Sequence, residues 1–103
     1  MPGLTFDIKP DGASRIVIAI AGEVDMATAP ELVECLRDHA DRDVIVDLSN
    51  VGFLDSSGIG ALIHGYNALA EAGHVLRTIG ERDNVRKVIE VAGVASLLHG
   101  DQT

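Results

Sequence analysis

A strand must hand over to a helix at Asp55-Ser56-Ser57-Gly58, and no other stretch constrains the fold of this chain as tightly. Upstream, Val44-Ile45-Val46-Asp47-Leu48 is a short, apolar, β-branched run suited to a buried strand. Downstream, Ile59, Leu62, Ile63, Tyr66 and Leu69 fall at helical spacing, with Ala70 beside the last. A helix start leaves backbone N–H groups without partners, and a serine hydroxyl at or just before it can accept from them. The same end favours negative charge, so it tolerates a phosphate carried on the serine. On these four residues alone an ordinary N-cap and a phosphate acceptor both stand.

The rest of the chain alternates strand and helix signals. Leu4 to Ile8 reads as an edge strand, and Lys9-Pro10-Asp11-Gly12 as a turn into a second strand, Arg15 to Ala21. These two are expected to pair as an antiparallel hairpin. Thr28 and Glu31 have capping-box spacing, Pro30 suits a first helical turn, and Leu32, Val33, Leu36 and Ala40 give that helix its inward face. The long helix is expected to stop at Gly73 through a left-handed cap. Val75 to Ile79 makes the next strand. Asp83 then caps a third helix with Val85, Val88, Ile89 and Ala92 on one face and Gly93 at its end. A hairpin followed by alternating strands and helices predicts an α/β fold: a mixed sheet, antiparallel at its start and parallel through crossovers, with helices packed on it. At 103 residues the chain has room for one domain, 1–103, and one core.

Composition narrows the function. A formal charge of −8 argues against direct binding of nucleic acid or an anionic membrane surface. Phe6, Phe53 and Tyr66 are the only aromatic residues, too few for a base-stacking platform. A single cysteine, Cys35, excludes an intramolecular disulfide and fits a reducing compartment. Met1-Pro2-Gly3 does not open a signal segment, and no apolar run reaches membrane-spanning length, so a cytoplasmic protein is expected.

Parallel strands beginning at Arg15 and Val44 would carry Asp25 and the Asp55-Ser56-Ser57 segment to the same sheet edge, where α/β sheets usually hold their sites. The two aspartates then either flank the serines or are solvated turn residues. Catalysis has little support. A nucleophile elbow needs glycine two residues on either side of the serine, but Leu54 precedes Ser56 at that offset and Asp55 precedes Ser57. His64 lies about two helical turns away from the serines. His39, His64, His74 and His99 are dispersed without metal-ligand spacing, and Gly58-Ile59-Gly60 lacks the lysine of a phosphate loop. No cofactor or metal is expected. A receiver domain with Asp47 as phosphate acceptor is a weak fit, since no acidic pair follows the first strand and neither lysine ends a late one.

The wider run Asp47-Leu48-Ser49-Asn50-Val51-Gly52-Phe53-Leu54-Asp55-Ser56-Ser57-Gly58-Ile59-Gly60 closely resembles the signature of the STAS domain, named for sulfate transporters and anti-sigma factor antagonists. Gly22-Glu23-Val24-Asp25 looks like that family's Gly-Glu-aliphatic-Asp loop, and Asn84 to Val94 is similar to its last long helix and glycine stop. The three blocks occur in family order and cover nearly the whole chain. Within the family, a short lone domain with Asp-Ser-Ser-Gly looks most like a bacterial anti-sigma factor antagonist.

That resemblance implies a partner-switching regulator. Unphosphorylated, such a protein binds an anti-sigma factor that is also a serine kinase, and so frees a sigma factor for transcription. Phosphorylation of the serine after the motif's aspartate, here Ser56, ends the binding, and a metal-dependent serine phosphatase reverses it. Asp25, Asp55, Ser57 and Gly58 would touch the partner, Ser57 alternatively serving as a cap. Gly60, Ala61, His64, Asn67 and Ala68 are expected on the outward face of the long helix, either as a weakly charged surface or as a shallow seat for a partner helix or loop. Arg86 and Lys87 read as a solvated helix face. A monomer or weak dimer is expected. STAS domains also occur as subunits of lipid-transporting ABC systems and as tails of anion transporters. Transporter tails follow membrane spans, and the lipid-transport subunits tend to depart from Asp-Ser-Ser-Gly. A small-ligand-binding module is a third reading, without a phosphate loop to support it.

Overall fold

Isoleucine at every second position from Ile16 to Ile20 builds one face of the sheet, because successive strand side chains point to opposite sides. In the computed structural model, which describes residues 3–100, all three are buried on β2 (Arg15–Val24). Met1 and Pro2, considered above for a signal segment, lie outside the described residues, as do 101–103. β1 (Thr5–Pro10) runs antiparallel to β2, with Phe6 opposite Ile20 and Ile8 opposite Ile18. β3 (Asp43–Leu54) lies parallel to β2 on its other side, and β4 (Leu76–Ile79) parallel to β3, giving the order β1-β2-β3-β4. This is the expected mixed sheet. Its first strand runs on through Lys9 and Pro10, which had been expected in the turn; an edge strand tolerates proline.

Four helices accompany the sheet: α1 (Ala29–Asp38), α2 (Ser56–Glu71), α3 (Asp83–Val91) and α4 (Ala95–His99). Leu32 and Leu36 of α1, Leu62 and Leu69 of α2, Val85 and Ile89 of α3 and Leu98 of α4 meet Val44, Val46 and Leu76 of the sheet in one buried cluster. Each such side chain contributes about 1.5–3 kcal/mol relative to leaving it in water. α1 and α2 pack so closely that a side chain on Gly65 would overlap Leu36. α2 ends as expected, with Gly73 at φ +84°.

Several helix details differ from the sequence expectations. No capping box forms at Thr28. Its hydroxyl donates to Glu23 O at 2.7 Å and accepts from Asp25 N at 3.0 Å, while the Glu31 carboxylate reaches across to Leu4 N at 3.0 Å. α3 is preceded by Arg82 at its N-cap, with Asp83 one residue inside, and Ala92 is exposed rather than inward. α4 was not expected, since five residues are too few to show a helical period.

β3 is the element that positions the site. It is twelve residues long rather than the five of the apolar run, and its pairing with β2 slips twice. Ala19 pairs with Asp47 but Ala21 with Asn50, and Gly22 with Val51 but Glu23 with Phe53, so β3 carries one extra residue at each slip. Such bulges bend a strand and re-aim its side chains. Beyond Leu48 the buried residues are therefore Val51 and Leu54, three apart instead of two. β4 pairs only with Val44 to Asp47, so the later part of β3 has an open edge. Arg82 Nε donates to Ser49 O at 2.9 Å and Asn84 Nδ2 to Gly52 O at 2.8 Å, fastening the start of α3 to that edge.

Candidate functional site

Both bulges leave β2 and β3 ending side by side. Val24 pairs with Leu54, and Asp55 N donates to Val24 O at 3.3 Å. Asp25 and Asp55 thus leave adjacent strand ends on the same sheet edge, as the parallel arrangement predicted. Asp25 Oδ1 accepts from Ala27 N at 3.0 Å and Thr28 N at 3.1 Å, closing the turn into α1. Asp55, extended at φ −111° and ψ −167°, is the N-cap of α2, and its Oδ1 accepts from Ser57 N at 2.9 Å and Gly58 N at 3.3 Å. Each carboxylate spends one oxygen on the fold.

The cap is therefore the aspartate and not a serine. Ser56 is the first residue of the helix, exposed and outside the capping bonds, while Ser57 is half-buried with only its amide engaged. Gly58 is buried: a Cβ there would stand 2.7 Å from Leu54 Cγ and 3.0 Å from Val24 Cγ1. Its lack of a side chain lets α2 sit down on β2 and β3 within this molecule, so close approach by a partner is not what requires it. Ala61, expected outward, is 3% exposed and belongs to the core. Ser56, Gly60, His64 and Asn67 form the exposed crest of α2, and Ala68 is half-buried beside it.

A groove lies on each side of the head of that crest, and a third, of about 510 Å³, runs farther along it past His64, Asn67 and Ala68. Of the two at the head, one, of about 630 Å³, runs between α1 and α2 over Ala29, Val33 and Ala61, with Met26, Ser57 and His64 at its walls. The other, of about 450 Å³, lies between the start of α2 and α3; Ser56, Asn84 and Lys87 rim an apolar bed of Ile59, Val88, Val91 and Ala92. Three large apolar side chains stand exposed around this edge: Met26 directly after Asp25, Phe53 two residues before Asp55, and Val91, which is 80% exposed. Met26, Val91 and Lys87 line these grooves and were not among the candidate residues read from the sequence. The available signal for Val91 was an apolar residue lying off the inward face of its own helix.

Other titratable groups serve local structure. Burial, and then the Asp38 carboxylate, push the Cys35 thiol up, opposite to what a nucleophilic thiolate requires. His39 Nδ1 lies 2.8 Å from Cys35 O, His74 Nδ1 contacts Asp43, and His99 Nε2 contacts Glu81. His64 is eight residues beyond Ser56 on the same crest, about 12 Å along the axis at the usual rise. Asp47 sits in the middle of β3, where Oδ1 accepts from Ser49 N at 3.0 Å at the first bulge. A receiver-type acceptor would instead stand free at a strand end.

An exposed serine at the head of α2, directly after the capping Asp55 and between two partly apolar grooves, marks one edge of a small α/β domain. Residues 10–99 match the family model described as "Mlab, STAS domain", and the chain belongs to the STAS domain family. An anti-sigma-B factor antagonist of Staphylococcus aureus is 34% identical over 85 residues, covering 80% of this chain and 79% of that protein. The structure of an anti-sigma factor antagonist from Mycobacterium paratuberculosis superposes with a TM-score of 0.77 at 27% identity, over 88% of this chain and 79% of the other. A Thermotoga maritima structure shares the fold with a TM-score of 0.81 at 14% identity, over 91% and 83% of the two chains. No helix among the described residues is long and apolar enough to cross a membrane.

Proposed function

We propose that this chain is an anti-sigma factor antagonist, a single cytoplasmic domain that works by binding and is switched by phosphate on Ser56. Unphosphorylated, it docks on an anti-sigma factor serine kinase and frees a sigma factor; phosphorylation ends the docking and a serine phosphatase restores it. One observation carries the reading. Ser56 Oγ is the exposed hydroxyl at the head of a crest whose surroundings, Met26, Phe53 and the two grooves, are apolar enough to be covered by another protein. The name of the Staphylococcus aureus relative supports the antagonist role. Asp25, Asp55, Ser57, Gly60, His64 and Asn67 form the contact set, with Gly58 and Ala61 shaping the surface from beneath.

The switch follows from charge. A phosphoserine carries about −1.5 to −2 charges at neutral pH. On the free protein it is solvated, whereas under a partner and beside Asp55 it is desolvated and repelled.

Calorimetric titration of the cognate kinase with Ser56→Ala and Ser56→Asp tests this. Ser56→Ala should bind like wild type and accept no phosphate, because Ser56 does not cap the helix. Ser56→Asp should fold normally and bind about a hundredfold to several thousandfold more weakly, the cost of an unpaired charge in a dry contact. Wild-type affinity in Ser56→Asp would refute the charge switch. Loss of binding in Ser56→Ala would make the hydroxyl a direct contact instead.

A further inference from the structure

A phosphate on Ser56, though solvated, gains from a nearby cation, because the helix end offers it only part of its amides. Asp55 Oδ1 already occupies the Ser57 and Gly58 amides, at 2.9 and 3.3 Å, so the phosphate finds those two taken and a carboxylate beside it. Asn84, on the same groove rim as Ser56, spends its amide on Gly52 O. Arg82, which does not line this groove, is engaged through Nε with Ser49 O. Lys87 is the one cation lining the groove that Ser56 opens into, and no hydrogen bond or ion pair holds it among the described residues. It stands one helical turn after Asn84, whose bond to Gly52 fastens this part of α3 to the strand leading to Ser56.

We propose that Lys87 is the built-in counter-ion of phosphorylated Ser56, reaching across the mouth of the α2–α3 groove to hold the phosphate. In that state the Lys87 stem lies over the apolar bed of Ile59, Val88 and Val91. The switch then acts twice, by adding charge to the crest and by covering one of the two grooves beside it. This rests on Ser56 being the modified residue.

The test is a phosphorus NMR titration of full-length protein carrying phosphoserine installed at position 56 during translation, so that no kinase is needed. A kinase that ignores Ser56 would defeat the proposed function and leave this titration readable. The salt is kept near 0.15 M, where charges beyond about 8 Å are largely screened. A neighbouring cation favours the dianion and lowers the second phosphate pKa. Lys87→Met should therefore raise it by about half a pH unit, and Lys87→Arg should leave it near wild type. Arg86→Met, one residue away on α3 but outside the groove, should leave it unchanged. An unchanged pKa in Lys87→Met would overturn the proposal. So would an equal rise in Arg86→Met, which would mean a diffuse field rather than a local pair.

Discussion

Replacing Asp55 by alanine should weaken the fold more than replacing either serine beside it. The carboxylate makes two bonds to the first turn of a 16-residue helix, to Ser57 N and Gly58 N. Loss of an N-cap side chain costs about 0.5–2 kcal/mol. Two features put this cap in the upper half of that range. Gly58 is buried, so water cannot freely replace the lost acceptor, and a carboxylate also complements the helix dipole where a neutral group does not. A loss of about 1–2 kcal/mol follows, which in a domain of this size lowers the melting temperature by about 5–15 °C. Asp55→Asn keeps an acceptor and should lose only a few tenths of a kcal/mol.

Urea and thermal unfolding of Asp55→Ala, Asp55→Asn, Ser56→Ala and wild type provide the comparison. Ser56 makes no capping bond, so Ser56→Ala should stay within about 0.5 kcal/mol of wild type, as surface changes usually do. A Ser56→Ala loss equal to that of Asp55→Ala would mean that the hydroxyl shares the cap. If Asp55→Ala unfolds like wild type, the two bonds contribute nothing net and the aspartate is held by its surface role alone.

The sequence made the sheet legible where side chains alternate and lost it where they do not. Ile16, Ile18 and Ile20 announce β2, and Val44 to Leu48 announce the first half of β3. The second half was missed because two bulges stretch the buried spacing to three, through Leu48, Val51 and Leu54, a pattern matching neither strand nor helix. The same bulges decide which residue caps α2. Asp, Ser and Ser are all good N-caps, so composition cannot choose among them; the Val24–Leu54 register and the Asp55 N bond to Val24 O choose Asp55. Gly58 and Gly65 exist for contacts with Leu54 and Leu36, far from helical periodicity, and Ala61 lies at the border of the inward stripe where a small side chain gives no sign of its direction. The proximity of Asp25 and Asp55, by contrast, followed from parallel topology alone. That Lys87 lines the same groove as Ser56 could not be read without knowing that Asn84 fastens α3 to Gly52.

Two further perturbations separate the glycines and the acid limb. Gly58→Ala should lose about 1–2 kcal/mol after its gain in helix propensity, because the new Cβ meets Leu54 Cγ at 2.7 Å; Gly60→Ala, with nothing within 4 Å, should gain about 0.5–1 kcal/mol. Urea unfolding decides, and shifts of the same sign would contradict the packing described at Gly58. The pH dependence turns on Asp43, whose carboxylate accepts from Val75 N at 2.9 Å and contacts His74 Nδ1 at 3.2 Å. The Val75 bond chiefly, and the His74 contact after it, hold its pKa below the ordinary carboxylate value. A depressed pKa in the folded state means that its stabilisation is complete above the unfolded value of about 3.9 and is lost as pH falls through the folded one. Asp43→Asn keeps an acceptor for Val75 N but carries no charge. It should therefore be less stable than wild type at pH 7, by less than about 1 kcal/mol since the side chain is partly exposed, and should converge on wild type as the pH falls below that range. Stability curves measured by urea at stepped pH give the difference directly. A gap that stays constant from neutral to strongly acid pH would show that the Asp43 charge contributes nothing, and that its two contacts are as good without it.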